Sequence, residues 1–148
     1  MKKLLFSFLM MIIVTSSFAQ KDTNSVDLIR QKFPKIYNVI VNESRARYYS
    51  DYACQKQMIE NQCLAFSMYF ILIYADNPTI PKDVLNDIQV NATGKFCKNC
   101  TMDESCYGLT DVIEKADCIL SYMVIDWVKV IFEITDQIDA YKSINKPI

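Results

Sequence analysis

Six cysteines, Cys54, Cys63, Cys97, Cys100, Cys106 and Cys118, carry most of the chemistry open to this sequence. An even cysteine count in a short exported chain predicts disulfides, three of them here. Cys97-Lys98-Asn99-Cys100 also has the spacing of a zinc half-site or of a thioredoxin-type redox pair. Neither is completed, because no second half-site, histidine or βαβ pattern accompanies it. The expectation is therefore no metal and no cofactor.

The rest of the catalytic repertoire is thin. The chain of 148 residues has no histidine, which removes the usual general base, and two glycines, too few for a phosphate-cradling loop. Cys106 and Tyr107 lack a visible base to activate them as nucleophiles. Glu133 and Asp136 form a carboxylate pair, but on a helix strip that also holds Lys115, Asp126 and Lys129, which reads as solvated surface. The expectation is a non-catalytic protein.

Helix geometry constrains the cysteine pairing. Cys54 and Cys63 are nine positions apart, about 13 Å along a helix and on opposite sides of it. A bridge needs Cα atoms within about 7 Å, so each of the two must reach something downstream. If the last helix lies level with Cys54 at its start, Cys118 comes close to Cys63. The predicted links are Cys63 to Cys118, and Cys54 to one of Cys97, Cys100 or Cys106.

Aromatic residues supply the binding candidates. Tyr48, Tyr49 and Tyr52 bunch on one turn, and tyrosine suits a pocket mouth or an interface because its ring is apolar and its tip polar. Phe66, Phe70, Met123 and Trp127 complete the expected ligand-facing set, from the apolar sides of the two longest helical segments.

These residues must be held by helices. A short one is predicted after Ser25, with Val26, Leu28, Ile29 and Phe33; Pro34 ends it or starts the next one as a first-turn residue. From Ile36 the pattern runs helical towards Ala75 without proline or glycine, and Tyr52, Ile59, Cys63, Phe66, Phe70 and Ile73 share one stripe. Asp76 to Pro81 is a break. A short helix with Val84, Leu85, Ile88 and Val90 follows, then a loop from Asn91 to Cys106. Thr101 to Glu104 fits a capping box for one turn before Gly108.

Thr110 is the expected cap of a last helix in which Val112, Ala116, Ile119, Met123, Trp127, Val130, Ile134, Ile138 and Tyr141 recur at helical steps. Both long segments carry apolar residues beyond one stripe. Leu64 to Ala75 is apolar everywhere but Ser67, and Cys118, Ile125, Val128 and Phe132 lie off the stripe of the last helix. The fold class predicted is all-α: a small disulfide-stapled helical bundle with two long helices and two or three short ones.

The first 19 residues have the pattern of a secretory signal. Lys2 and Lys3 precede an apolar run from Leu4 to Val14, and Ser17-Phe18-Ala19 offers a cleavage site. Residues 20–148 are then a single all-helical, disulfide-rich domain, with no transmembrane segment after cleavage. Removing Lys2 and Lys3 leaves 14 basic against 17 acidic side chains, a net charge of −3. Nucleic acid is an unexpected partner for such a chain, since phosphate neutralisation drives that binding. Asn42, Asn91 and Asn99 begin N-x-[ST] glycosylation acceptors, which fits an extracellular destination.

An exported helical chain with six cysteines resembles the insect odorant-binding proteins in type. Its gaps of 33 residues between Cys63 and Cys97 and 11 between Cys106 and Cys118 depart from that family's spacing, so no binding residue is carried over. A fainter resemblance, over Cys54 to Cys106, is to nematode-type secreted cysteine-rich domains of unknown function. The functional expectation is a secreted binding protein that carries a small apolar ligand between its helices. The alternative is a secreted protein–protein interaction or effector module with a solid core, monomeric or dimeric.

Overall fold

The computed structural model describes residues 23–74, 79–101 and 104–145. The predicted signal, residues 1–19, lies outside them. The described residues form an all-α bundle of six α-helices, one 3-10 turn and a two-stranded antiparallel sheet. The helices are α1 (Thr23–Lys32), α2 (Pro34–Tyr48), α3 (Tyr52–Tyr74), α4 (Lys82–Lys95), α5 (Val112–Ser121) and α6 (Trp127–Ile144). Strand β1 (Cys97–Cys100) and the 3-10 turn (Glu104–Gly108) separate α4 from α5, and β2 (Met123–Ile125) separates α5 from α6.

The central rod is α3, packed against α1, α2 and α6, while α4 lies on α6 and α5 on α2. Its core is aromatic. Phe33, at the α1–α2 junction, meets Phe66 and Phe70 edge-on at 5.0 and 4.8 Å between ring centroids. Phe66 and Tyr69 meet Trp127 of α6 at 4.8 and 5.0 Å. Offset and edge-on contacts at these separations add to what burial of the rings already contributes. Val130, Ile134 and Ile138 continue the α6 stripe into the same core.

Both long helical runs read from the sequence are in fact interrupted. The run from Ile36 breaks at Tyr49 to Asp51, and the run from Val112 breaks at Tyr122 to Asp126. No glycine or proline causes either break; an aspartate restarts each helix. Asp51 accepts a hydrogen bond from the Cys54 backbone N–H (3.0 Å), and Asp126 accepts one from Lys129 (3.4 Å). At the second break Met123 and Ile125 turn inward as strand residues, in register with Cys100 and Cys97. Their β-branched neighbours favour this extended form once β1 offers a partner.

Smaller corrections follow the same logic. The cap of α5 is Asp111 rather than Thr110; its carboxylate takes the N–H groups of Ile113 and Glu114 at 3.0 and 2.9 Å. Helix α4 runs on to Lys95, so the expected loop from Asn91 begins later. Its buried face is Leu85, Gln89 and Ala92, and Val90 is exposed.

The disulfides differ most from expectation. There are two, Cys97–Cys100 and Cys106–Cys118, while Cys54 and Cys63 are free thiols. The predicted Cys63–Cys118 link assumed one unbroken last helix. With that helix split at Tyr122, Cys118 faces the 3-10 turn and α2, and Cys106 lies opposite it with Cα atoms 5.7 Å apart. Cys54 and Cys63 both sit on α3 and do not pair with each other.

Hydrogen bonds between helices make the long-range ties that disulfides were expected to make. Asp117 of α5 is buried, and its carboxylate accepts from the backbone N–H groups of Lys35 (3.2 Å) and Ile36 (2.9 Å). Phe33, the formal cap of α2, offers no side-chain acceptor. Asp117 thus caps α2 from a different helix, where the helix dipole favours its charge. Gln62 of α3 donates to Asp126 (3.0 Å) and accepts from the Trp127 N–H (2.8 Å), tying α3 to the start of α6.

Candidate functional site

Among the described residues, two clefts lie beside α2 and α3. The larger, about 510 Å³, is lined by Arg45, Tyr49, Ser50, Tyr52 and Gln55. It follows directly from how α2 ends. Tyr49 has φ 41° and ψ −102°, the one positive φ at a non-glycine among the described residues. Such a conformation costs about 1–3 kcal/mol at a residue with a Cβ and persists only where surrounding contacts enforce it.

Those contacts come from both sides of the break, α2 and α3. The Tyr49 carbonyl accepts from the Gln55 side-chain amide, the Asp51 N–H donates to the Tyr48 carbonyl (2.7 Å), and the Ser44 hydroxyl donates to the Gln55 carbonyl (3.0 Å). Gln55 and Ser44 are buried, and the bond between them is buried with them, while the Gln55–Tyr49 bond is part-buried at the edge of the cleft. The effect is to hold two tyrosine rings outward: Tyr49 is 82% exposed and Tyr52 76%. The Arg45 guanidinium beside them has no ion-pair partner among the described residues.

The second cleft, about 310 Å³, lies between α1, α2 and α3 and is lined by Val26, Asp27, Arg30, Tyr37, Lys56, Ile59 and Glu60. Its charges are already matched. Arg30 donates to the Tyr37 hydroxyl (3.0 Å) and pairs with Asp27 (3.5 Å), and Lys56 pairs with Glu60 (3.7 Å). The hydrogen bond to Tyr37 holds the Arg30 guanidinium above its ordinary pKa. An incoming ion would have to displace an existing partner here, whereas Arg45 has none to displace among the described residues.

The sequence-predicted site residues fall into two groups. Tyr49 and Tyr52 line the larger cleft, and Tyr48 ends α2 immediately before it, half-buried. Tyr52 was expected on the inner stripe of α3, but one turn of exposed helix at the break carries it outward. Phe66, Phe70 and Trp127 belong to the aromatic core, and Met123 is buried on β2. These four are not brought to the tyrosines. Arg45, Ser50 and Gln55 were missed, although Ser50-Asp51 ahead of an apolar run is a helix-start signal that would have placed the corner.

Burial pushes the Cys63 thiol up to about 12, against a small opposing pull from Arg30. Cys54 is also raised, by its hydrogen bond to Asp51 and by burial. Both shifts favour the protonated thiol over the thiolate. No cluster of three or more metal-ligating side chains occurs among the described residues, and no described helix is long and apolar enough to cross a membrane. Of the sequon residues, Asn42, Asn91 and Asn99 are all exposed, on α2, α4 and β1.

No protein-family model, curated protein or solved structure matches this chain.

Proposed function

We propose that this is an exported, non-catalytic binding module that engages a protein partner through the corner formed by Arg45, Tyr49 and Tyr52. The observation that carries the reading is the backbone at Tyr49. A tyrosine at positive φ, held by hydrogen bonds from both sides of the corner, presents two exposed rings beside an arginine without an ionic partner among the described residues. Tyrosine and arginine are the residue types that dominate binding energy at protein interfaces. The unpaired guanidinium selects for a partner surface bearing a carboxylate next to apolar groups. Export is supported by the signal-like N-terminus, the disulfides and the exposed sequon asparagines.

An apolar-ligand carrier is the competing proposal. A carrier needs its aromatic rings arranged around a void, and here Phe33, Phe66, Phe70, Tyr69 and Trp127 meet one another. The rings would have to part for a ligand to enter.

The test is quantitative affinity capture from extracellular fluid with wild-type protein and two variants, Y49A/Y52A and the control F132A. Phe132 is an exposed aromatic on α6 that does not line the cleft. A partner held by wild type and F132A but lost by Y49A/Y52A supports the reading. Capture that Y49A/Y52A leaves intact overturns it.

A further inference from the structure

The two disulfides are built for different purposes. Cys106–Cys118 is sealed: Cys106 is 0% exposed and Cys118 is buried. Cys97–Cys100 spans only two intervening residues on a strand at the surface, with Cys100 exposed and Cys97 half-buried. Cys97 packs against the core, so its position does not depend on the bridge. The strand itself is held independently. β1 pairs with β2 at Cys97–Ile125 and Cys100–Met123, and the Asp126 N–H donates to the Phe96 carbonyl (3.2 Å) just ahead of it. An irregularity in the pairing lies between the two cysteines.

From this we infer that Cys97–Cys100 is a thiol–disulfide exchange site, open to small thiols of the glutathione class while the rest of the fold stays intact. A thiolate attacks the Sγ of Cys100, the more exposed residue of the pair, and the sulfur–sulfur bond breaks with Cys97 leaving as a thiolate that takes up a proton. A second small thiol then attacks the mixed disulfide and releases Cys100 as a thiol. The net change is one protein disulfide and two small thiols converted to two protein thiols and one small-molecule disulfide. Cys97, fixed against the core with its Cα 5.9 Å from that of Cys100, is placed to reclose the bridge in an oxidising medium.

Nothing comparable is open to the other sulfurs. Attack on Cys106–Cys118 needs local unfolding around a buried bridge. Cys63 is fully buried on α3, and Cys54 is half-buried with its thiol hydrogen-bonded to Asp51, so neither competes for the exchanging pair. Lys98, between the two cysteines, pairs with Glu43 of α2 (3.6 Å), but the exchange chemistry uses no residue of the Tyr49 corner, and neither reading depends on the other.

The test is timed incubation of the folded protein with reduced glutathione, quenching with an alkylating agent and peptide mapping, with far-ultraviolet circular dichroism followed in parallel. Cys97 and Cys100 are expected to become alkylated at least about tenfold faster than Cys106 and Cys118, with the helical signal unchanged. In oxidised glutathione, C97S is expected to form an adduct at Cys100 faster than C100S forms one at Cys97. Equal alkylation of the two bridges, or opening of Cys97–Cys100 only as helicity is lost, would overturn the inference. Equal adduct rates in the two variants would overturn the assignment of Cys100 as the point of attack.

Discussion

Two buried or half-buried aspartates show how single side chains decide this fold. Asp117 satisfies two N–H groups at the start of α2 that no local residue reaches. D117A leaves both without an acceptor in a buried setting, and an unfolding free energy lower by about 2–3 kcal/mol is expected in urea titration. D117N keeps one acceptor oxygen but turns an amide donor towards the other N–H, so its loss should be nearly as large. A change within experimental error for D117A would remove Asp117 from its capping role.

Asp126 adds a pH dependence. Burial opposes its charge, but hydrogen bonds from Gln62 and from the Lys129 backbone, together with the Lys129 ammonium, outweigh it and lower its pKa below the usual carboxylate value of 3.8. A carboxylate depressed on folding contributes stability that is complete above the unfolded-state pKa and disappears as pH falls through the folded-state value. The contribution therefore fades only below about pH 4. D126N retains a capping oxygen for Lys129 and for Gln62 but does not titrate. Its stability is expected to fall less steeply than that of wild type between about pH 4 and pH 2 in acid-unfolding curves. Parallel curves would contradict this.

At the level of elements, the two breaks determine what the surface can offer. The helical stripes of α3 and α6 were legible, because Cys63, Phe66, Phe70, Trp127, Val130, Ile134 and Ile138 all lie in or against the core as their spacing implies. The breaks were not, because the apolar period continues across them. Met123 fits a helical stripe and an inward strand position equally well, and only the partner strand β1 decides between them. Asp126 was read as surface charge, although an aspartate one residue before Trp127 is also a helix start. Tyr49 left no local signal, since its positive φ comes from Gln55 and Ser44 on both sides of the corner.

That corner carries its own prediction. Glycine adopts positive φ without the Cβ penalty, so Y49G should relieve strain while removing an exposed ring that contributes little to the core. Thermal or urea unfolding is expected to show Y49G equal to wild type or more stable by up to about 1 kcal/mol, with partner capture reduced. A variant destabilised by more than about 1 kcal/mol would mean that the ring, not the backbone, maintains the corner.

Across the whole molecule, stability and disulfide chemistry separate. By loop-closure entropy the Cys106–Cys118 bridge contributes about 3 kcal/mol and the short Cys97–Cys100 bridge about 2, the smaller constraint on the unfolded chain. Replacing buried Cys106 and Cys118 by serine also places two hydroxyls in a covered site. C106S/C118S is therefore expected to unfold at clearly lower denaturant than C97S/C100S, with helicity retained in the latter. The sequence showed that sulfur would be structural here but not which sulfurs, because pairing depends on where α5 ends and on its packing against α2. The loss of Cys63 as a staple is made up by Gln62 and the aromatic core, interactions between distant segments that no spacing rule encodes.

The central claim is that the apolar side chains fill the interior and that recognition faces outward at Arg45, Tyr49 and Tyr52. Native mass spectrometry of the protein purified without detergent tests it most directly. The account predicts the mass of the polypeptide and any covalent glycan, with no stoichiometric apolar adduct. A lipid-sized adduct that persists through purification and is lost in F66A or W127A would contradict it.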